Sequence, residues 1–306
     1  MTIRTQVMRV RFATMFMMVF VLITIMCLDT RTDIADFGRI DHNGQTGPVT
    51  LVIAAQQTTA RRTTDGIQEA RALGLKSIAQ LERMRAREDA FFVRRAKFLA
   101  GRLNEVNRPG RVAQVARVNT GAEFLKVLTL TSRHAIIGSL IIYGHSGSNG
   151  LFMLEDRGFY RSIEEVVETT RVASGTAEEK GSKLRSLGAR NIYDLQELLH
   201  QGAIRFAHQS TIVMLGCNTA GNLDIDPMGI AALMAESTGA TTFGSLNETD
   251  ATILDKPAAT ADQEFSLGTW VRFAKGEHPK PLNTSAIDPV QLTTNISVFG
   301  PQPKGL

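Results

Sequence analysis

Two residues with the side chains for covalent catalysis each close a short apolar run. His145 follows the run that begins at Ile136, and Cys217 follows the one that begins at Thr211. A thiolate attacks a carbonyl carbon, while an imidazole within hydrogen-bond reach takes the thiol proton and later returns it to the leaving group. Gly144 and Gly216 directly precede the two residues, and the lack of a side chain there lets the backbone approach a substrate closely. Backbone N–H groups at Gly147 and at Gly216-Cys217 are candidates for binding the developing oxyanion. The first expectation is a His145–Cys217 catalytic dyad, with Gly147 and Gly216 forming its oxyanion backbone.

Such a pair needs elements that carry both residues to one edge. Both runs are aliphatic or β-branched and short, as buried strands of a parallel sheet are. In open α/β sheets ligands collect beyond the carboxyl ends of the strands, which is where these runs deliver the two side chains. The remaining pattern agrees. A strand is expected at 49–55, then a helical stretch over 65–106 that Gly74 interrupts and Pro109-Gly110 ends. A strand at 112–118 follows, then a helix to about Thr131 capped by Asn119 or Thr120, with Glu123 in its first turn. The strand at 137–143 leads to His145, and Leu151 to Leu154 suggest a small hairpin. Residues 156–190, rich in Glu, Lys, Ser and Gly, read as a polar insertion or mobile loop. A helix at 191–201, the strand at 211–216, a helix at 227–237 ended by Gly239 and a strand at 240–246 complete the alternation. A strand or helix around 269–274 carries Trp270 and Phe273, read as core residues, and a Pro-rich tail occupies 276–306. Alternation of this kind predicts an α/β fold with a mostly parallel sheet.

A rival chemistry lies in Gly144-His145-Ser146-Gly147-Ser148, one residue short of the G-x-S-x-G nucleophile elbow of α/β-hydrolases. That elbow requires Gly at its fifth position and opens directly into a helix. Here the fifth residue is Ser148, and a turn at Asn149-Gly150 follows. Ser146 as a nucleophile is therefore the lesser alternative.

The two strand ends together resemble the caspase-like family of cysteine peptidases. The turn Gly216-Cys217-Asn218-Thr219-Ala220-Gly221 is similar to the Cys-x-Thr-x-Gly turn of its bacterial branches, and Ile230 to Leu246 resembles the helix and strand that follow it there. The likeness covers about residues 48–250. It implies a caspase-like three-layer sandwich within residues 48–275, a mostly parallel sheet with helices on both faces. It also implies His145 as general base and acid, Cys217 as nucleophile, and a protein or peptide as substrate. In that family linkers between the His and Cys strands are often processed, which makes 156–190 a candidate for cleavage. The chain departs from the pattern at Ser146, which stands where a Gly usually follows the His. Members without activity make an interaction scaffold the second functional class.

Composition narrows the setting. The net charge is +4, but residues 1–130 carry 20 Lys/Arg against 11 Asp/Glu, whereas the rest carries 14 against 19. The basic half reads as a solvated helix face rather than a nucleic-acid footprint. His200 and His208 lack partners at metal-ligand spacing, and phosphate-loop and dinucleotide patterns are missing, so no metal, cofactor or nucleic acid is expected. Residues 12–28 hold no charge and reach about 25 Å as a helix, the short limit for crossing a bilayer. Arg4, Arg9 and Arg11 before them and Asp29, Asp33 and Asp36 after them orient the run with its C-terminal side outward. Residues 1–30 are accordingly expected to be a membrane anchor or signal segment with an apolar helix, and 31–47 a linker to a domain outside the cytoplasm. The two cysteines, Cys27 and Cys217, are then too far apart in role to pair.

Overall fold

The computed structural model describes residues 47–56, 70–71, 73–106, 112–169, 175–224, 228–247, 269–283 and 287–294. All of them belong to the unit Asp41–Leu306. The apolar run at 12–28, Cys27 and the linker up to residue 46 lie outside the described residues. Among the described residues no helix is long and apolar enough to cross a membrane.

Along the chain run β1 (Val49–Ala55), α1 (Ile78–Val106), β2 (Ala113–Val118), α2 (Gly121–His134), β3 (Ile137–Tyr143), β4 (Ser146–Gly147), β5 (Gly150–Leu151) and β6 (Phe159–Tyr160). Then come α3 (Ile163–Thr169), α4 (Ala177–Ser186), β7 (Arg190–Asn191), α5 (Ile192–His200), β8 (Phe206–Leu215) and α6 (Ile230–Thr238). The order ends with β9 (Thr241–Ser245), β10 (Trp270–Phe273), β11 (Lys280–Pro281) and α7 (Pro289–Thr294). Seven strands form one sheet in the order β11-β10-β9-β8-β3-β1-β2. The five from β2 to β9 in that order are parallel, while β10 and β11 join antiparallel. The fold is α/β with a mostly parallel, mixed sheet.

Strand β1 is buried at every position, the pattern of a strand covered on both faces. On one face Val52, Ala54, Ile141, Tyr143, Val213 and Phe243 pack with the α1 residues Phe92, Ala96, Leu99 and Leu103, with Ile287 and with Val290 of α7. The alternate residues Leu51, Ile53, Leu140, Ile142, Ile212 and Met214 are buried as well. Helix α6 covers part of that second face, since a Cβ on Gly244 would lie 2.7 Å from the Ala231 methyl.

Local signals explain the element ends. The Thr120 side chain accepts from the Glu123 N–H at 3.1 Å, and the Glu123 carboxylate accepts from the Asn119 N–H at 2.7 Å, so the first turn of α2 has partners for its orphan donors. Gly74, at φ 69°, interrupts the helical stretch ahead of α1, and Gly239, at φ 71°, closes α6 in the left-handed conformation. Residues 107–111, including Pro109-Gly110, and Pro227 lie outside the described residues.

Residues 156–190 differ from the sequence expectation. Instead of a polar loop, their described residues form β6, α3, α4 and the start of β7, and β6 and β7 belong to a second sheet ordered β4-β5-β6-β7. Their polar composition hides a sparse apolar set: Tyr160, Ile163, Val166, Val167, Leu184 and Ala189 are buried together. A capping box between Thr176 and Glu179 starts α4. The hairpin expected at 151–154 is displaced as well, formed by β4 and β5 through the pair Ser146↔Leu151. The domain also outruns the expected boundary at 275. Strand β11 extends the sheet, and Ile287 and Val290 of the Pro-rich tail enter the core. The segment carrying Trp270 and Phe273 is a strand, and both rings are buried.

Candidate active site

The pairing of β3 with β8 sets the geometry of the site. Ser139↔Thr211 through Tyr143↔Leu215 are matched neighbours in parallel register. His145 and Cys217 each stand two residues beyond the last matched pair, just past the ends of neighbouring strands. Side chains alternate between faces along a strand. Tyr143 and Leu215 join the core under α1, and the His145 ring meets Phe92 of α1 edge-on at 5.2 Å between centroids. The residues between them face the other way. A Cβ on Gly216 would collide with the Ser146 side chain and lie 2.6 Å from the Gly144 carbonyl oxygen. His145 thus lies on the α1 side, while Cys217 stands in the turn that follows β8. Even-numbered positions are pressed together on the opposite side.

The turn after Cys217 is held at both ends. Asn218 adopts φ 53°, a left-handed conformation that Asn tolerates better than most residues. Its N–H donates to the Asn247 carbonyl at 3.1 Å, and the Ala220 N–H donates to the Ser245 carbonyl at 2.9 Å. The Ser245 N–H in turn donates to the Thr219 hydroxyl at 3.0 Å, so the end of β9 fixes the loop. On the histidine side the Phe152 N–H donates to the His145 carbonyl at 2.8 Å, and the Ile230 N–H donates to the Ser148 carbonyl at 2.9 Å. Cys217 is half-buried and forms no disulfide.

The sequence-predicted residues fall into distinct places. His145 and Cys217 both follow the carboxyl ends of the neighbouring strands β3 and β8. Gly147 lies in β4, paired with Gly150, beside the turn at Ser148-Asn149. Gly216 is buried beneath the turn, where the close approach of Gly144 and Ser146 requires a residue without a side chain. Ser146 is buried, and its hydroxyl donates to the Cys217 carbonyl at 2.9 Å. The chain after it enters the β4–β5 hairpin rather than a helix, so the strand–turn–helix elbow that a serine nucleophile needs is not built. His200 and His208 are exposed, and among the described residues no group of three or more His, Cys, Asp or Glu is arranged to hold a metal ion.

One residue at this edge escaped the sequence reading. Glu88 of α1 places Oε2 3.1 Å from Nε2 of His145. Glu88 and Phe92 are four apart, hence neighbours on one helix face, and together they bracket the imidazole. The signal was a carboxylate on the stripe Leu81, Arg85, Phe92, Ala96, where the helix otherwise turns inward. No family model, curated protein or solved structure matches this chain.

Proposed function

We propose that the chain is a cysteine-dependent peptidase of caspase-like type, in which Cys217 attacks the carbonyl of a protein or peptide and His145 acts as base and then acid. The observation that carries the reading is the β3–β8 register, whose last matched pair, Tyr143↔Leu215, is followed two residues later by His145 on one strand and Cys217 on the other. A sheet covered on both faces is consistent with the three-layer caspase-like sandwich that the sequence resembles. In this reading the thiol proton passes to the imidazole as sulfur attacks the carbonyl carbon. The tetrahedral oxyanion is held by backbone N–H groups at Gly147 and Cys217. The amine leaves with the proton from His145, and water then releases the acyl group from sulfur. No group other than these is needed for the cycle. Residues 12–28 would anchor the chain with the domain outside the cytoplasm.

Thiol labelling and peptide hydrolysis test the reading together. Iodoacetamide should modify Cys217 in the folded protein, His145→Ala should slow that modification, and Cys217→Ala should abolish cleavage of an unstructured protein substrate such as casein. Equal labelling of wild type and His145→Ala, or no labelling before unfolding, would overturn it in favour of an interaction scaffold.

A further inference from the structure

The geometry points to Glu88 as the residue that sets the working form of His145, an inference that rests on the proposed dyad for its catalytic meaning. A carboxylate only accepts hydrogen bonds. With Glu88 Oε2 3.1 Å from Nε2 of His145, the ring nitrogen in that contact carries the proton, whether the imidazole is neutral or charged. In the neutral ring the lone pair then resides on Nδ1 alone. Nδ1 is therefore the one atom of His145 that can take a proton from the Cys217 thiol. When it does, the S–H bond breaks, an Nδ1–H bond forms, and the ring gains a positive charge 3.1 Å from the Glu88 carboxylate. One contact thus selects the tautomer, aims the ring and opposes the charge that the transfer creates, the division of labour that lets a third group serve a nucleophile–base pair.

The placement of Glu88 favours this role over an incidental ion pair. The side chains of His145 and Glu88 are 32% and 22% exposed, so water only partly screens the contact. The ring is also held from a second direction by Phe92, whose edge meets it at an interplanar angle of 79°. Both holding groups belong to a single helix of 29 residues whose opposite end is locked into the core by Leu99 and Leu103. The imidazole is therefore referenced to a rigid element outside the sheet, while Cys217 is referenced to β8 and β9. Glu88 acts through the imidazole it meets and is a positioning residue.

Selective 15N-histidine labelling of the full-length protein tests this directly, with the His145 signal assigned by its loss in His145→Ala. Wild type should show the Nε2–H tautomer. Glu88→Ala should show a mixture of tautomers, and its Cys217 alkylation by iodoacetamide should fall about tenfold or more. Glu88→Gln, which keeps an acceptor oxygen and the side-chain volume, should fold normally. It should restore the tautomer and part of the rate where its amide oxygen faces the ring. A wild-type Nδ1–H tautomer overturns the inference, and so does an unchanged tautomer in Glu88→Ala. An unchanged alkylation rate in Glu88→Ala overturns it where His145→Ala does slow the reaction. If His145→Ala leaves alkylation unaltered, the dyad fails instead, and the tautomer measurement still decides whether Glu88 orients the ring.

Discussion

Gly216→Ala tests the approach of the two strand ends, on which the proposed chemistry depends. The added methyl would lie 2.6 Å from the Gly144 carbonyl oxygen and overlap the Ser146 side chain. Against an ordinary contact of 3.4 Å the shortfall is about 0.8 Å. The Ser146 hydroxyl can rotate away, but the Gly144 carbonyl is backbone, so the ends of β3 and β8 have to part. Overpacking of this kind costs about 1–3 kcal/mol, and the rigid obstacle argues for the upper part of that range. The same movement separates His145 from Cys217, so urea stability and the Cys217 alkylation rate should fall together. Ser146→Ala alone removes the donor to the Cys217 carbonyl and should cost about 0.5–1.5 kcal/mol. In the double variant the overlap with the Ser146 hydroxyl is gone, while the Gly144 carbonyl at 2.6 Å and the residue 146 Cβ at 3.0 Å remain. The combined loss should therefore be smaller than the sum of the singles by about 0.5 kcal/mol or more, as expected for residues in contact. A Gly216→Ala protein as stable and as reactive as wild type would show that the strand ends do not meet as described. Strict additivity would show that the Ser146 side chain is not the neighbour.

Three further outcomes are expected. Burial raises the phenols of Tyr143 and Tyr160 above their ordinary value of 10.0. Unfolded phenols lose protons first as pH climbs past 10, so their contribution is intact below that pH and lost above it. Phenolate absorbance from these two residues should then appear together with the loss of ellipticity, and earlier ionisation in folded protein would contradict their burial. Leu184→Ala should destabilise the packing of α3, α4 and the small sheet by about 2–5 kcal/mol, read as faster proteolysis within 156–190, whereas a mobile loop would show no change. For the proposed location, a reporter active only in an oxidising compartment and fused after residue 306 should be active. Deleting residues 1–30 should silence it while leaving a folded domain; unfolding on deletion would instead make 12–28 a core helix.

The sheet was readable in the sequence because its central strands are buried on both faces and so stand out as short, mainly apolar runs, as Val49–Ala55 and Ile137–Tyr143 do. The Thr120 cap and Gly239 were readable because a single backbone requirement selects the residue. The His145 and Cys217 positions followed from where those runs end. Residues 156–190 were misread because α3 and α4 bury only a few side chains each and present polar surface elsewhere, so average composition outweighs Val166, Val167 and Leu184. The tail was misread for a similar reason: a two-residue strand and a six-residue helix leave no periodic pattern. Glu88 was hidden because its role depends on α1 packing beside the carboxyl edge, a relation between segments that no local window contains.

The small sheet and its two helices form a long excursion between β3 and β8, yet those strands are joined by their own ladder from Ser139↔Thr211 to Tyr143↔Leu215. Covalent continuity through residues 156–190 is therefore not what keeps β3 beside β8. A chain broken once between Thr169 and Ala177 would be two polypeptides sharing one hydrophobic core. The first would carry β1, α1 and β3, the second β8, α6 and β9, and the β3–β8 ladder and the shared core would join them. Such a break would show as two bands on a denaturing gel and as a single species in native solution.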